Sequence, residues 1–536
     1  MSAFRSHLTV LESSASLFSS TPAFQIPEAD AETGKVIRWQ ACSYTQFRDD
    51  VNLSARYWAK TLRADGVQPN SVVGLWLTGL TYMDVLHIYG ISRAGFVPQL
   101  FSLRLPNPTI VFELLQKANA KALIHDPSFA TGLGDSPVPT HAAIELTSVD
   151  AASEPLPTMP IFSDANQTVF VLHTSGSTSG SPKLVPCSAS WVDGMVHKSY
   201  QVSRPTNADK QDVCSWMGSM CHVGQEFMML GSLQHGSCTI QPTKITFSVD
   251  ELLDMVIRCR MNRLHQFAAF LAVNIRAARQ DPKVLSVLQS LDHIVYSGLP
   301  LPQDDEAWGY SQGLPLYNLF GSTECGAMLL SVGGKGRDAA VLQALEGVSY
   351  GFFPTEKSAS VESTHKSTGQ MLELVILADS PDCPDSSLRH EDGHFHTGDL
   401  FHEVSAGRYI SRGRDDDWIK SNNGLRCDTM SIEDNVRKMC GSLIEECVVV
   451  GNARPSPTLF IEAAVDMDHT KLKKEIIRKT RLFHSRRYIH ERITSPQFII
   501  VVPSKSLPRT ATKGNIRRRA VEELFKAELD QVYITA

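Results

Sequence analysis

Thr168-Val-Phe-Val-Leu172 runs directly into His173-Thr-Ser-Gly-Ser-Thr-Ser-Gly-Ser-Pro-Lys183. A short run of β-branched and aromatic residues reads as a buried strand. The stretch after it is made of glycines, small hydroxyl residues and a closing lysine. Glycines let backbone N–H groups approach phosphate oxygens. Serine and threonine hydroxyls donate further hydrogen bonds, and a lysine adds charge. Composition alone fits a flexible linker equally well. The strand before the loop and the Pro-Lys after it favour a nucleotide loop. Because the loop lacks a Gly-Lys-Ser/Thr ending, it is not the loop of an ordinary P-loop NTPase.

Outward from this loop, strand-like and helix-like segments alternate. Tyr44 to Asp65 and Tyr82 to Ala94 have helical apolar spacing, while Ser71–Leu77 and Ala122–His125 read as short buried strands. Such alternation predicts an α/β fold with a largely parallel sheet. Residues 127–160 are rich in Pro, Ser, Thr and Gly and predict a surface connection. Within it, Leu133-Gly-Asp-Ser136 superficially resembles a phosphopantetheine attachment motif. Prolines at 137 and 139 exclude it, since they stand where the attachment helix would begin. From Gly393 to Trp418 the pattern predicts short strands and tight turns. Beyond it, strands at 446–450, 459–462 and 498–502 alternate with charged helices, the last expected over 516–533. The expected division is a large N-terminal domain over 1–414, with mixed and parallel sheets and helices, and a smaller α+β domain over 415–536.

The chain has 536 residues, 42% hydrophobic and 20% charged, with a net charge of −6. A mildly acidic chain argues against a broad basic face for nucleic acid. The basic run from Lys471 to Arg492 reads as a solvated helix face, with a docking surface for an anionic partner as the alternative. No stretch is long and apolar enough to span a bilayer, and no secretory leader is expected. Eleven scattered cysteines without a C-x-x-C pair predict reduced, buried thiols in a cytoplasmic protein and make zinc an unlikely ligand.

Four further segments follow the loop in fixed order: Tyr317-Asn-Leu-Phe-Gly-Ser-Thr-Glu324, His396-Thr-Gly-Asp399, Gly413-Arg-Asp-Asp-Asp-Trp-Ile-Lys420 and Leu507-Pro-Arg-Thr-Ala-Thr-Lys-Gly-Asn-Ile-Arg-Arg518. Each alone is weak, and Asp399, Glu324 or Lys513 taken singly fits a turn, a helix cap or a surface site. Together they resemble the adenylate-forming superfamily: acyl- and aryl-CoA ligases, luciferases and peptide-synthetase adenylation domains. The resemblance extends from about residue 40 to about 530.

It implies ATP-driven activation of a carboxylic acid, with ATP and Mg²⁺ as cofactors and CoA or a phosphopantetheine thiol as acceptor. Thr174, Ser175, Gly176, Ser177, Thr178, Gly180 and Lys183 would hold the β- and γ-phosphates. Thr323 would hydrogen-bond the α-phosphate, and Glu324 would hold Mg²⁺. Gly298, Asn318, Phe320 and Gly321 would surround the adenine. Asp399 and Arg414 would contact the ribose. Lys513 would stabilise charge at the reacting phosphorus. Asp416 matches the hinge, with Asp415 as the competing choice, about which the small mobile domain rotates between half-reactions.

Three departures stand against the family pattern. The phosphate loop carries one extra residue, placed at Ser179 or absorbed by a shifted lysine. The segment Ser421–Gly424 is also one residue longer. Lys513-Gly514 reverses the usual Gly-Lys, an order similar to fungal carboxylate reductases. In the segment Cys221-His-Val-Gly-Gln-Glu226, Val223 stands where amino-acid-activating relatives carry an aspartate, which disfavours an α-amino acid. His222 matches a histidine bordering the acid pocket in acid–CoA ligases, or else is a packed core histidine. Trp216, Met217, Met220, Phe267 and Phe270 suit an apolar acid pocket or, equally, the core. The expected reaction is acyl-adenylate formation followed by thioester formation with CoA. Loading of a carrier protein, or a nucleotide-binding homologue without turnover, are the alternatives.

Overall fold

The computed structural model describes residues 3–102, 105, 107–146, 150–174, 183–333, 338–355, 371–415, 418–420, 426–485, 487, 491–509 and 516–534. Two sheets make up the N-terminal part. In the first, of six strands, Thr140–Ala142, Ala122–His125, Val72–Leu77, Val97–Ser102 and Thr168–His173 lie parallel, and Leu184–Ser188 closes the edge antiparallel. The second has thirteen strands. Its parallel stretch includes Arg263–Phe267, His293–Ser297 and Leu316–Ser322. From Gly326 to Arg414 its strands are antiparallel.

Alternation of side chains sorts the strands between layers. Val73, Leu75 and Leu77 face one way, into the main core with Trp58, Ile88 and Val192. Trp76 faces the other way, onto the helix Pro108–Lys117. Gly74 permits that approach, since a Cβ there would stand 2.5 Å from Leu115. In the long sheet Val295 and Leu319 join the main core, whereas Ile294, Tyr296 and Leu316 pack on the helices Ala268–Ala278 and Pro282–Ser290. The helices Tyr44–Ala64, Tyr82–Arg93, Ala189–Val202 and Val223–Gln234 therefore lie between the two sheets. Each fully buried large apolar side chain contributes about 1.5–3 kcal/mol.

The C-terminal unit has its own cores, made of residues from Ile419 onward. Strands Ile444–Val450, Thr458–Ala463 and Ile499–Val502 form a mixed three-stranded sheet against helices Thr429–Cys440 and His469–Ser485. On the second helix Leu472, Ile476 and Thr480 are buried and most of the basic residues lie outward, as the solvated-face reading expected.

Several expectations need correcting. The connection over 127–160 contains a 3₁₀ turn, Pro127–Gly132, and the edge strand Thr140–Ala142. The segment after Gly393 is not a run of short strands: Phe395–Ser405 is eleven residues long and belongs to the large sheet. The terminal helix is two helices, Arg518–Leu524 and Lys526–Ile534. The first helix ends at Phe525, whose ring packs 5.2 Å from that of Phe460. Leu133–Ser136 is a turn, as the prolines require. All eleven cysteines are buried and unpaired. Among the described residues no helix is long and apolar enough to cross a membrane.

One buried charge site sets a pH limit. Glu226 lies in the main core beside an apolar cavity of about 10 Å³ lined by Phe170, Leu172, Trp191, Met195 and Leu230. Tyr89 donates to its Oε1 at 3.2 Å, and Oε2 has no hydrogen-bond partner among the described residues. Burial pushes the carboxyl up to about 8. Its folded value exceeds the unfolded one, so its contribution is full below about pH 4 and is lost as pH rises through 8. Glu226→Gln is expected to raise stability at pH 9 by roughly 4 kcal/mol relative to pH 5, read by denaturant melts at both pH values. A pH-independent difference would rule this out.

Candidate active site

Three parallel strands end side by side: Arg263–Phe267, His293–Ser297 and Leu316–Ser322. In open α/β sheets, ligands bind outside such carboxyl ends. Each strand leaves in its own way. Phe267 starts the helix Ala268–Ala278. Gly298 turns away at φ +91°, and a Cβ on it would stand 3.0 Å from the Phe267 ring. Gly218 presses on the same ring, its Cβ position lying 2.6 Å away. The ring is thus confined between two glycines. His222 meets it edge-on at 5.9 Å and 87°.

His222 is the N-cap of the helix Val223–Gln234: its Nδ1 accepts from the Gly224 N–H at 3.1 Å. With Nδ1 accepting, the ring proton sits on Nε2. His222 is therefore a partly exposed cap and not a core histidine. Trp216, Met217 and Met220, by contrast, are fully buried in the main core, which decides between the two readings left open for them. Phe267 and Phe270 remain partly exposed, 6.4 Å apart.

The third strand carries Asn318, Phe320 and Gly321, then turns through Thr323, Glu324 and Cys325 into the antiparallel strand Gly326–Ser331. The turn is tight because Gly321 has no side chain: a Cβ would lie 2.4 Å from the Gly326 carbonyl oxygen. Ser322 Oγ accepts from the Cys325 N–H at 3.3 Å. Asn318 pairs with Tyr296 across the sheet, and its own N–H donates to Ser331 Oγ at 2.8 Å. Phe320 meets Phe401 edge-to-face at 5.2 Å. Thr323 and Glu324 are partly exposed, and among the described residues the Glu324 carboxylate has no hydrogen-bond or ion-pair partner. An uncompensated, partly exposed carboxylate suits a hard cation.

Asp399 and Arg414, expected to act together, face each other across the hairpin Phe395–Ser405/Arg408–Arg414, with Nη1 and Oδ1 3.6 Å apart. Thr397 Oγ1 accepts from the Asp399 N–H at 3.0 Å and donates to the Leu374 carbonyl. Glu373 accepts the Gly398 N–H at 3.1 Å and also lies 3.4 Å from His396 Nδ1. Burial opposes a charge on His396, but the Asp392 and Glu373 carboxylates outweigh it and raise its pKa. The backbone that carries Asp399 is thereby held from both sides.

The strands on either side of the opening loop form a hairpin. Thr168–His173 pairs antiparallel with Leu184–Ser188, and the Thr174 N–H donates to the Lys183 carbonyl at 2.9 Å. Ser175, Gly176, Ser177, Thr178, Ser179, Gly180, Asp416, Ser421–Gly424 and Lys513 lie outside the described residues.

Sequence reasoning missed the helix that follows this hairpin. Ser188 caps it, and Trp191 Nε1 donates to the Glu324 carbonyl at 2.9 Å. Lys198 Nζ donates to the Cys325 carbonyl at 2.9 Å. The spacing of Trp191, Met195 and Lys198 places them on one helical face, the only cue available before the fold is known.

The family model for AMP-binding enzymes matches residues 24–349, and that for the AMP-binding enzyme C-terminal domain matches residues 416–536. The AMP-binding domain-containing enzyme iboA of Amanita muscaria is 36% identical over 94% of this chain and 98% of its own length. Adenylate-forming reductase Nps11 of Serpula lacrymans is 23% identical over 96% of this chain, which spans only 48% of that relative. The similarity to fungal reductases inferred from Lys513-Gly514 is therefore met by a fungal relative of that kind. Among solved structures, O-succinylbenzoate coenzyme A synthetase of Bacillus subtilis, in complex with ATP and magnesium, superposes with a TM-score of 0.73 at 17% identity, covering 96% and 99% of the two chains. The anthranilate CoA ligase AuaEII, in complex with anthranoyl-AMP, gives 0.73 at 16% identity, covering 98% of each. At such identities the likeness is one of fold.

The clearance at the turn gives a direct test. In Gly321→Ala the added methyl meets backbone, which cannot swing aside, so a loss of about 1–3 kcal/mol is expected, typical of overpacking. Adenine-nucleotide affinity, read by titration, should fall in the same variant because the turn carrying Thr323 and Glu324 must shift. Unchanged melting and unchanged affinity would show that the turn tolerates a side chain.

Proposed function

Because the chain belongs to the AMP-binding enzyme family and is an adenylate-forming ligase, we propose that it activates a non-amino carboxylic acid with ATP and passes the acyl group to the thiol of CoA. The observation that carries this reading is the grouping of Gly298, Asn318, Phe320, Gly321, Thr323 and Glu324 on neighbouring strand ends, with the unpartnered carboxylate of Glu324 among them.

In the first half-reaction a carboxylate oxygen of the acid attacks the α-phosphorus of ATP. The bond to the bridging oxygen breaks, and pyrophosphate leaves with its electron pair. Residues 174–183 hold the β- and γ-phosphates. Thr323 donates to the α-phosphate, and Asp399 accepts from the ribose hydroxyls beside Arg414. Glu324 would hold Mg²⁺, which would supply charge neutralisation at the phosphate oxygens. Lys513 places a positive charge at the reacting phosphorus. In the second half-reaction the thiolate attacks the acyl carbon and AMP leaves. Residues 1–414 form the adenylation domain in this reading. Residues 415–536 form the mobile unit, turning at Asp416, so that Lys513 serves the first step only.

The lack of a carboxylate at Val223 supports a non-amino acid. His222, whose ring meets the confined Phe267 ring edge-on, supports an acid pocket at this end of the sheet. A second reading, transfer to a carrier protein's phosphopantetheine thiol, is favoured by the Lys513-Gly514 order and by the reductases of which the chain spans under half.

Acid-dependent ATP–pyrophosphate exchange across fatty, aryl and hydroxy acids tests the reaction. Exchange is expected with at least one class, and Lys513→Ala should lower it by roughly 100-fold or more. Near wild-type exchange in that variant would remove Lys513 from its role. Thioester formation with free CoA, against none with a carrier protein bearing a free phosphopantetheine thiol, separates the two acceptors.

A further inference from the structure

The most deeply buried ion pair near the site lies outside every motif. Lys198 and Asp382 are 2.6 Å apart, with side chains 1% and 0% exposed. Asp382 also accepts from the Tyr350 and Ser380 hydroxyls. Lys198 spends a second proton on the Cys325 carbonyl, at 2.9 Å. Two turns earlier on the same helix, Trp191 Nε1 holds the Glu324 carbonyl at 2.9 Å. Between them Met195 fills the space that a side chain at Gly326 would need, its Sδ lying 2.2 Å from the Cβ position there. One helical face therefore grips two successive carbonyls of the turn from behind. Cys325 is buried, while Thr323 and Glu324 stay partly exposed on the turn.

We infer that Lys198, anchored by Asp382, is a positioning residue: with Trp191 it fixes the backbone of the Thr323–Glu324 turn so that the Glu324 carboxylate is pre-set for the nucleotide-bound metal ion. This rests on the reading of Glu324 as the Mg²⁺ ligand. A seam that needed only cohesion would be served as well or better by apolar side chains. The ion pair adds direction, because a charged donor makes the stronger hydrogen bond to a carbonyl. The helix begins at Ser188, the last residue of the phosphate hairpin, so the device also links the two phosphate-facing elements.

The test needs no identified acid. ATP binding to the full chain is titrated with Mg²⁺ and again in EDTA, for wild type, Glu324→Gln, the double variant Lys198→Met/Asp382→Asn, and Trp191→Phe. The double variant leaves Tyr350 an acceptor, and Trp191→Phe removes only the indole donor. The Mg²⁺-dependent gain in affinity is expected to fall about tenfold or more in the double variant and severalfold in Trp191→Phe, the range seen when groups behind a metal ligand are lost. Affinity in EDTA should fall by less, because Thr323 shares the turn but its contact with the nucleotide does not need the metal ion. Where the double variant does not fold, Trp191→Phe decides. A full Mg²⁺ gain in the folded variants, with loss in Glu324→Gln, overturns this inference alone. A full gain in Glu324→Gln, or no gain in wild type, overturns the metal reading and this inference with it.

Discussion

The Lys198–Asp382 pair is the constraint around which the large domain is arranged. Both charges are out of water, so neither survives without the other: removing one partner of such a pair costs roughly 3–5 kcal/mol. The pair stands where the parallel and antiparallel parts of the thirteen-stranded sheet meet. Lys198 comes from the helix between the sheets, the Cys325 carbonyl from the turn that reverses strand direction, and Tyr350 from the antiparallel part. The parallel part supplies the strand ends proposed to face the adenine. The antiparallel part supplies Asp399 and Arg414. The geometry of the junction decides how these two sets face each other.

The same logic explains the glycines that the site does need. Gly321 admits the Gly326 carbonyl, and Gly218 and Gly298 close on Phe267. Rigid packing of this kind suits a reaction whose catalysis is mainly positioning and charge stabilisation. A preorganised turn costs nothing further to arrange when the nucleotide arrives. Glu226 is the opposite case, a carboxyl sealed in the core whose protonated state is favoured by its surroundings and which the proposed mechanism does not use.

Much of this was legible before the fold. The strand at 168–172, the helices at 44–65 and 82–94 and the motif order read correctly because local pattern and global architecture agree at those places. The Asp399–Arg414 pairing was implied by shared function, and the hairpin register supplies it. Lys198 was not legible, because a mid-helix lysine reads as surface until the neighbours that bury it are known. Asp382, in a Pro- and Asp-rich loop, reads as a turn residue. Trp216, Met217 and Met220 could not be divided between pocket and core, since both need apolar bulk. The break at Phe525 was hidden because no Gly or Pro marks it, and its ring packs on Phe460, sixty-five residues away in sequence.

The C-terminal unit is held in a different manner, and the difference bears on mechanism. Its cores are its own, built from Ile419 onward. Contacts reaching across to the large domain include Trp418 Nε1 to the Arg412 carbonyl at 3.0 Å, close to the connection, and the ion pair Lys438–Asp304. Both side chains of that pair are about 60% exposed, 60% and 62%, and exposed pairs are worth about 0–1 kcal/mol. Breaking it is cheap compared with disturbing Lys198–Asp382. The proposed two-step reaction, in which Lys513 serves only the first step, would draw on this asymmetry between a firmly held Thr323–Glu324 turn and a lightly fastened C-terminal unit.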